Sequence, residues 1–330
     1  MQAGILRSDR SDDINIMKKT VKAIMLSLCF LMGCTKDEIP DPFLIEGISM
    51  DNYPKVDCST STSLLQKLIA CKLLGVGYDW QENMLFGGYY DLNINYDDLP
   101  GSYEFFKNLR VSTTHGAFMN LIKGDVDLIV TSRSISRDEK AYADEQGVTL
   151  DETAVALDGF IFITHKNNSV KSLTREQIQG IYMGEITNWK EVGGRDLAIT
   201  PYIREPNSGS QEKMETIVMK GLEMPKWKFI SLLGMGGPFD RLRYDESGIC
   251  YSLYYYNRFF MQPDLVNQLA VDGIAPTQQA IRDRTYPYTT EVYTAIRSDT
   301  DKNSMAYRLY RLLCSDKAKK IIEESGYVPR

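Results

Sequence analysis

The residues best placed for chemistry lie in Tyr202-Ile203-Arg204-Glu205-Pro206-Asn207-Ser208-Gly209-Ser210-Gln211. An apolar strand ends there in an arginine, and a helix starts a few residues later with hydroxyls. Ser208 has the side chain of an N-cap, Gly209 lets a ligand approach the backbone, and Ser210 adds a second hydroxyl to the free N–H groups of the first turn. Arg204 supplies a planar, permanently charged fork that matches an oxyanion. The chemistry implied is anion capture, with the helix running to about Lys220.

Two earlier turns repeat the device. Val56-Asp57-Cys58-Ser59-Thr60-Ser61-Thr62-Ser63 delivers hydroxyls to a helix marked by Leu64, Leu65, Leu68, Ile69 and Leu73. Leu109-Arg110-Val111-Ser112-Thr113-Thr114-His115-Gly116 does the same before Ala117-Phe118-Met119. A short apolar strand, Val126–Val130, then ends in Thr131-Ser132-Arg133-Ser134. Ligands gather at the carboxyl ends of strands in open sheets, which makes Ser132 and Arg133 candidates as well. The chain has two histidines, His115 and His165. Neither stands in a nucleophile pattern, so neither is expected to catalyse, and no enzyme chemistry, cofactor or metal is expected.

The elements that must position these turns alternate. A polar helix from Arg137 to about Gln146 precedes a long apolar strand, Ala154–Thr164, and strands alternating with helices predict an α/β fold with parallel sheet pairing. Residues 77–101 read as a surface loop or insertion without an assigned role. Tyr251–Tyr256 read as a strand and hinge, because consecutive tyrosines cannot line one face.

Residues 1–16 are polar and aperiodic and read as a mis-assigned start. From Met17 follow a basic segment (Lys18, Lys19, Lys22), an apolar run from Ala23 to Met32 and small residues before Cys34. Leu31-Met32-Gly33-Cys34 resembles the lipobox of bacterial lipoproteins, which implies cleavage and a lipid on Cys34. Residues 34–52 then form a tether. Residues 1–33 hold five Lys/Arg and three Asp/Glu, so their removal takes the formal charge from -6 to -8 and leaves 297 residues. An acidic chain with no basic run excludes nucleic acid as partner but not a small anion held by one local arginine. Cys58, Cys71, Cys250 and Cys314 show no metal-ligand spacing, and their pairing is not readable.

Asp158-Gly159-Phe160-Ile161-Phe162-Ile163, Leu173-Thr174-Arg175-Glu176-Gln177-Ile178 and above all Gly184-Glu185-Ile186-Thr187-Asn188-Trp189 resemble the phosphate-binding proteins of ABC phosphate importers. The resemblance continues through Arg204–Ser210, Gly248–Leu253, Val271–Thr277 and Ser325-Gly326-Tyr327-Val328-Pro329. It implies a type II periplasmic-binding-protein fold: one lobe of residues 53–165 and 257–330, a second of 166–256, and a tetrahedral oxyanion, foremost inorganic phosphate, in the cleft. Anion contacts would come from Ser59, Thr60, Ser61 and Thr114 on one side and Arg204, Ser208, Gly209 and Ser210 on the other. It further implies a monomer, importer membrane subunits as partners, and a location in the periplasm or on the cell surface. The alternative is a lipid-anchored anion sensor or surface interaction protein without transport. The family's aspartate after the strand-end serine is replaced here by Arg133: pointing into the cleft, it adds a donor and predicts weak discrimination between phosphate and sulfate, whereas turned outward it pairs with Asp138 or Glu139 and leaves only Ser132 in the site. Glu205 could restore an acceptor, although extended neighbours point to opposite faces.

Overall fold

The computed structural model describes residues 43–83, 89–206, 208–225, 234–261 and 265–330. The expected leader, the lipobox with Cys34, the first part of the tether and Asn207 lie outside the described residues. Among the described residues twelve strands occur in chain order: β1 Val56–Cys58, β2 Tyr78–Asn83, β3 Tyr89–Ile94, β4 Leu128–Thr131, β5 Leu150–His165, β6 Ser172–Leu173, β7 Thr200–Pro201, β8 Gly248–Leu253, β9 Val266–Gln268, β10 Ala270–Val271, β11 Thr289–Arg297 and β12 Val328–Pro329. Helices are interspersed, which makes the chain α/β.

One sheet of eight strands carries the order β1-β4-β11-β5-β8-β7, with β9 and β12 also paired to β5. The expected parallel pairings lie at its two ends, β1 with β4 and β7 with β8. Between them β11 runs antiparallel to β4 and β5, and β8 antiparallel to β5. The axis of the sheet is β5, whose 16 residues span roughly 50 Å at ~3.3 Å per residue. It begins four residues before the expected Ala154, because Leu150–Ala154 find partners along β11.

Two large apolar cores sit along β5. Val155 and Ala156 belong to one, with Leu64, Leu68, Val130, Val292 and Leu309; Leu157 and Phe160–Ile163 belong to the other, with Ile178, Trp189, Phe239, Ile249 and Tyr288. Along β5 the two cores change over near Leu157. Met261 and the stretch 265–288 contribute to the second core, where Val266–Gln268 pair with His165–Ile163. The chain touches the first core at Tyr255, Phe259 and Phe260 and returns to it at β11. The folded part also starts earlier than Tyr53, since Phe43 and Ile45 are buried in the first core, each such side chain worth about 1.5–3 kcal/mol.

Two local expectations are corrected. Residues 78–83 and 89–94 form the antiparallel strand pair β2–β3 with Leu92 and Ile94 buried, because these two apolar residues alternate toward the first core. The helix after Ser208 is α-helical only over Gly209–Lys213 and widens to a π-helix over Met214–Met219. Cys58, Cys71, Cys250 and Cys314 are free thiols.

Candidate functional site

The first wall is built where β1 and β4 end. Ser59 N–H donates to the Val130 carbonyl at 3.0 Å, which fixes the turn Thr60–Thr62 ahead of the helix Ser63–Leu74. Ser59 Oγ accepts the Ser132 N–H at 3.1 Å and shares a 2.8 Å hydrogen bond with Thr114 Oγ1, which in turn lies 3.3 Å from Ser132 Oγ. Three segments distant in sequence thus meet through one chain of hydroxyls. Behind them the fully buried Asp57 ties the turns together. Its Oδ1 accepts from Cys58 N–H and Ser112 N–H at 2.7 and 3.0 Å, and its Oδ2 from Asn120 Nδ2 at 2.7 Å. Thr113, the first residue of the helix Thr113–Lys123, has φ 63°. A β-branched residue in the left-handed region stores strain, and such strain clusters at ligand sites.

The second wall follows β7. Arg204 N–H donates to Tyr251 Oη at 3.0 Å and Gln211 Oε1 at 3.1 Å, and Tyr251 Oη itself donates to Gln211 Oε1. Ser208 caps its helix as expected, accepting the Gln211 N–H at 3.1 Å. The Arg204 side chain is buried at 4% exposure. Its guanidinium gives one N–H to the Gly234 carbonyl at 2.8 Å and another to Met235 Sδ at 3.7 Å, while Nε has no partner. No carboxylate pairs with it among the described residues. A buried charge without a counter-ion is costly, which makes an anionic ligand its natural complement.

The walls enclose a cavity of about 320 Å³. Ser59, Thr60, Ser61, Thr114, Ser132, Arg204, Ser208, Gly209 and Ser210 all line it. The walls come close at Gly209, where an added Cβ would stand 2.6 Å from Thr114 Oγ1. Only glycine permits that approach.

Arg133 is the exception, and its expected place in the site is corrected. Its guanidinium is 93% buried away from the cavity and forms a bidentate pair with Glu139, Nη1 to Oε2 and Nη2 to Oε1, both 2.8 Å. Helix geometry explains this: Ser136 caps the helix Arg137–Glu145, and the capping box turns Glu139 back toward Ser136 and within reach of Arg133. Burial works to raise the Glu139 carboxyl, but hydrogen bonds and charge from Arg133 prevail and hold it below the usual range.

Thr113, His115, Met235 and Leu253, absent from the expected contacts, also line the cavity, as does Glu205, which the sequence offered as an acceptor. Strand alternation does not govern Arg204 and Glu205, because β7 stops at Pro201. Lys213 was missed too. It is 4% exposed, donates from Nζ to the Ser132 carbonyl and lies 3.3 Å from Thr290 Oγ1, so it joins the second wall to the first. Burial lowers its ammonium to about 8, opposed by Asp158 and aided by Arg133. Burial likewise raises Asp158, on β5, to about 6 against the pull of Lys213 and two backbone N–H groups. Among the described residues no group of His, Cys, Asp and Glu is arranged to hold a metal ion. What the site can do is surround an oxyanion with hydroxyls, helix-start N–H groups and one guanidinium.

Residues 101–320 match the family model of the PBP superfamily domain. The chain belongs to the PBP superfamily. A curated relative, the phosphate-binding protein PstS of Staphylococcus saprophyticus, is 26% identical over 227 residues, covering 66% of this chain and 69% of that one. PstS of Staphylococcus aureus strain USA300 is 25% identical over 224 residues, with 65% and 67% covered. Among solved structures, a putative phosphate ABC transporter substrate-binding protein with bound phosphate from Clostridium perfringens superposes with a TM-score of 0.62 at 23% identity, over 84% of this chain and all of that one. An ABC-type phosphate transport receptor from Vibrio cholerae gives 0.56 at 23% identity, over 83% and 98%. At these identities the solved structures establish the shared fold: mixed α/β of the type II periplasmic-binding-protein kind.

Proposed function

We propose that this chain is a solute-binding protein that captures inorganic phosphate in the cavity between its two walls and hands it to an ABC importer. The observation that carries this reading is the buried Arg204 guanidinium, without a carboxylate partner among the described residues, lining one cavity with three hydroxyl-bearing turns. The names of the relatives support the same solute. Binding proceeds without covalent chemistry: Arg204, the hydroxyls of Ser59, Thr60, Ser61, Thr114, Ser132, Ser208 and Ser210, and backbone N–H groups replace the anion's hydration shell.

The two cores act as two lobes in this reading, joined where β5 and β11 pass from one to the other. Closing them over the anion excludes water and strengthens each contact. The protein works as a monomer outside the cytoplasm, anchored by lipid on Cys34, with the importer's membrane subunits as partners. The anchor rests on the sequence pattern around Leu31–Cys34. No helix among the described residues is long and apolar enough to cross a membrane.

Calorimetry with inorganic phosphate, on protein freed of bound anion, tests the reading. Saturable binding is expected, together with a higher Tm by mass action and a smaller radius in small-angle scattering. Absence of phosphate binding would sink the proposal. Binding with an unchanged scattering profile would favour a rigid anion sensor over a transport protein.

A further inference from the structure

Inorganic phosphate at neutral pH keeps at least one proton and sulfate keeps none, so a site that separates them needs a group that accepts a hydrogen bond and cannot donate one. The hydroxyls around the cavity do not meet that need, since a rotating O–H donates to either anion. With Arg133 turned away, two side chains of the lining remain as acceptors: Glu205, which is exposed, and His115.

The state of His115 follows from its neighbour. Its Nδ1 lies 3.0 Å from Oε1 of Glu139, whose side chain is fully buried and already holds the bidentate Arg133 and the Ser136 N–H at 2.8 Å. A carboxylate so compensated is ionised and only accepts, so Nδ1 must carry the hydrogen. In a neutral imidazole the lone pair then sits on Nε2, the ring nitrogen not turned to Glu139 in a residue that lines the cavity. Among the described residues nothing else engages it. We propose that Nε2 of His115 accepts the hydrogen bond from the protonated oxygen of bound phosphate and so determines specificity against sulfate. Arg133 and Glu139 are positioning residues in this scheme, fixing the tautomer from behind. The inference rests on the phosphate reading and reverses the weak discrimination expected from Arg133 in the cavity.

The test measures phosphate and sulfate affinities on the full chain for the unmodified protein, His115→Ala, His115→Lys and Glu205→Gln. The unmodified protein should prefer phosphate. In His115→Ala the phosphate-to-sulfate ratio should fall by about tenfold, the scale of one hydrogen bond, and His115→Lys should lower it further by strengthening sulfate. Glu205→Gln should leave the ratio nearly unchanged. A ratio unmoved by either His115 variant, or one that collapses only in Glu205→Gln, overturns the assignment. Nitrogen NMR of the unmodified protein adds an arm independent of any variant: in the neutral ring the hydrogen must be on Nδ1, and finding it on Nε2 overturns the proposal. If the unmodified protein binds neither anion, the phosphate reading itself fails; binding with an insensitive ratio fails only this inference.

Discussion

Arg133 and Arg204 stand at comparable places, each just after a strand end beside the cavity and each more than nine-tenths buried. Their surroundings differ in one respect. Arg133 meets a carboxylate through two bonds of 2.8 Å, whereas Arg204 meets a carbonyl and a thioether. Both leave Nε without a partner among the described residues, and the distinction lies in charge compensation. A compensated guanidinium is part of the scaffold; an uncompensated one is kept at a cost that a bound anion relieves. Nearness to a site is therefore a poor guide to which arginine binds.

Breaking the compensated pair should have the largest effect. Glu139→Ala leaves the Arg133 charge buried and alone, which should lower unfolding stability by about 3–5 kcal/mol in urea denaturation. A loss below about 1 kcal/mol would mean that the pair is dispensable and the contrast false. Arg204→Ala should do the opposite. It should weaken phosphate binding by roughly 1.5–3 kcal/mol in calorimetry while the unliganded protein keeps or gains stability. If unliganded stability collapses instead, Arg204 is scaffold as well.

Gly209→Ala sharpens the contrast between walls, because its Cβ would stand 2.6 Å from Thr114 Oγ1. Separating the walls should cost about 1–3 kcal/mol of phosphate affinity, with little change in the melting of unliganded protein. Unaltered affinity would show that the walls need not approach so closely.

The smallest effect concerns the buried pair behind the site. Asp158 is raised from 3.8 to about 6, so the folded state binds the extra proton between those values and this group makes stability fall as pH rises through that window. Lys213 is lowered from 10.5 to about 8, so the unfolded state binds the extra proton there and this group makes stability rise between about pH 8 and 10.5. In Lys213→Met the alkaline rise should vanish, and the Asp158 midpoint, followed by carbon NMR of its carboxyl, should move upward. A downward move would mean that Lys213 does not act on Asp158.

Much of the site was legible because helix-start chemistry is local. Ser59 and Ser208 precede helices with hydroxyls, Gly209 permits close approach, and Arg204 closes an apolar run, all within a few residues of one another. The strand through Phe160–Ile163 was equally plain, since an unbroken apolar run in that setting must be buried on both faces. What the tertiary structure alone decided were contacts between segments far apart in the chain. Asp57 finds Ser112 and Asn120, Lys213 finds Ser132, and His115 finds Glu139. The two cores divide at Leu157 within a single strand whose apolar residues look alike on either side. Arg133 shows the limit most clearly. Its side chain has the same charge and reach whether it faces an anion or a carboxylate six residues on, and only the helix that carries Glu139 back toward it selects between them.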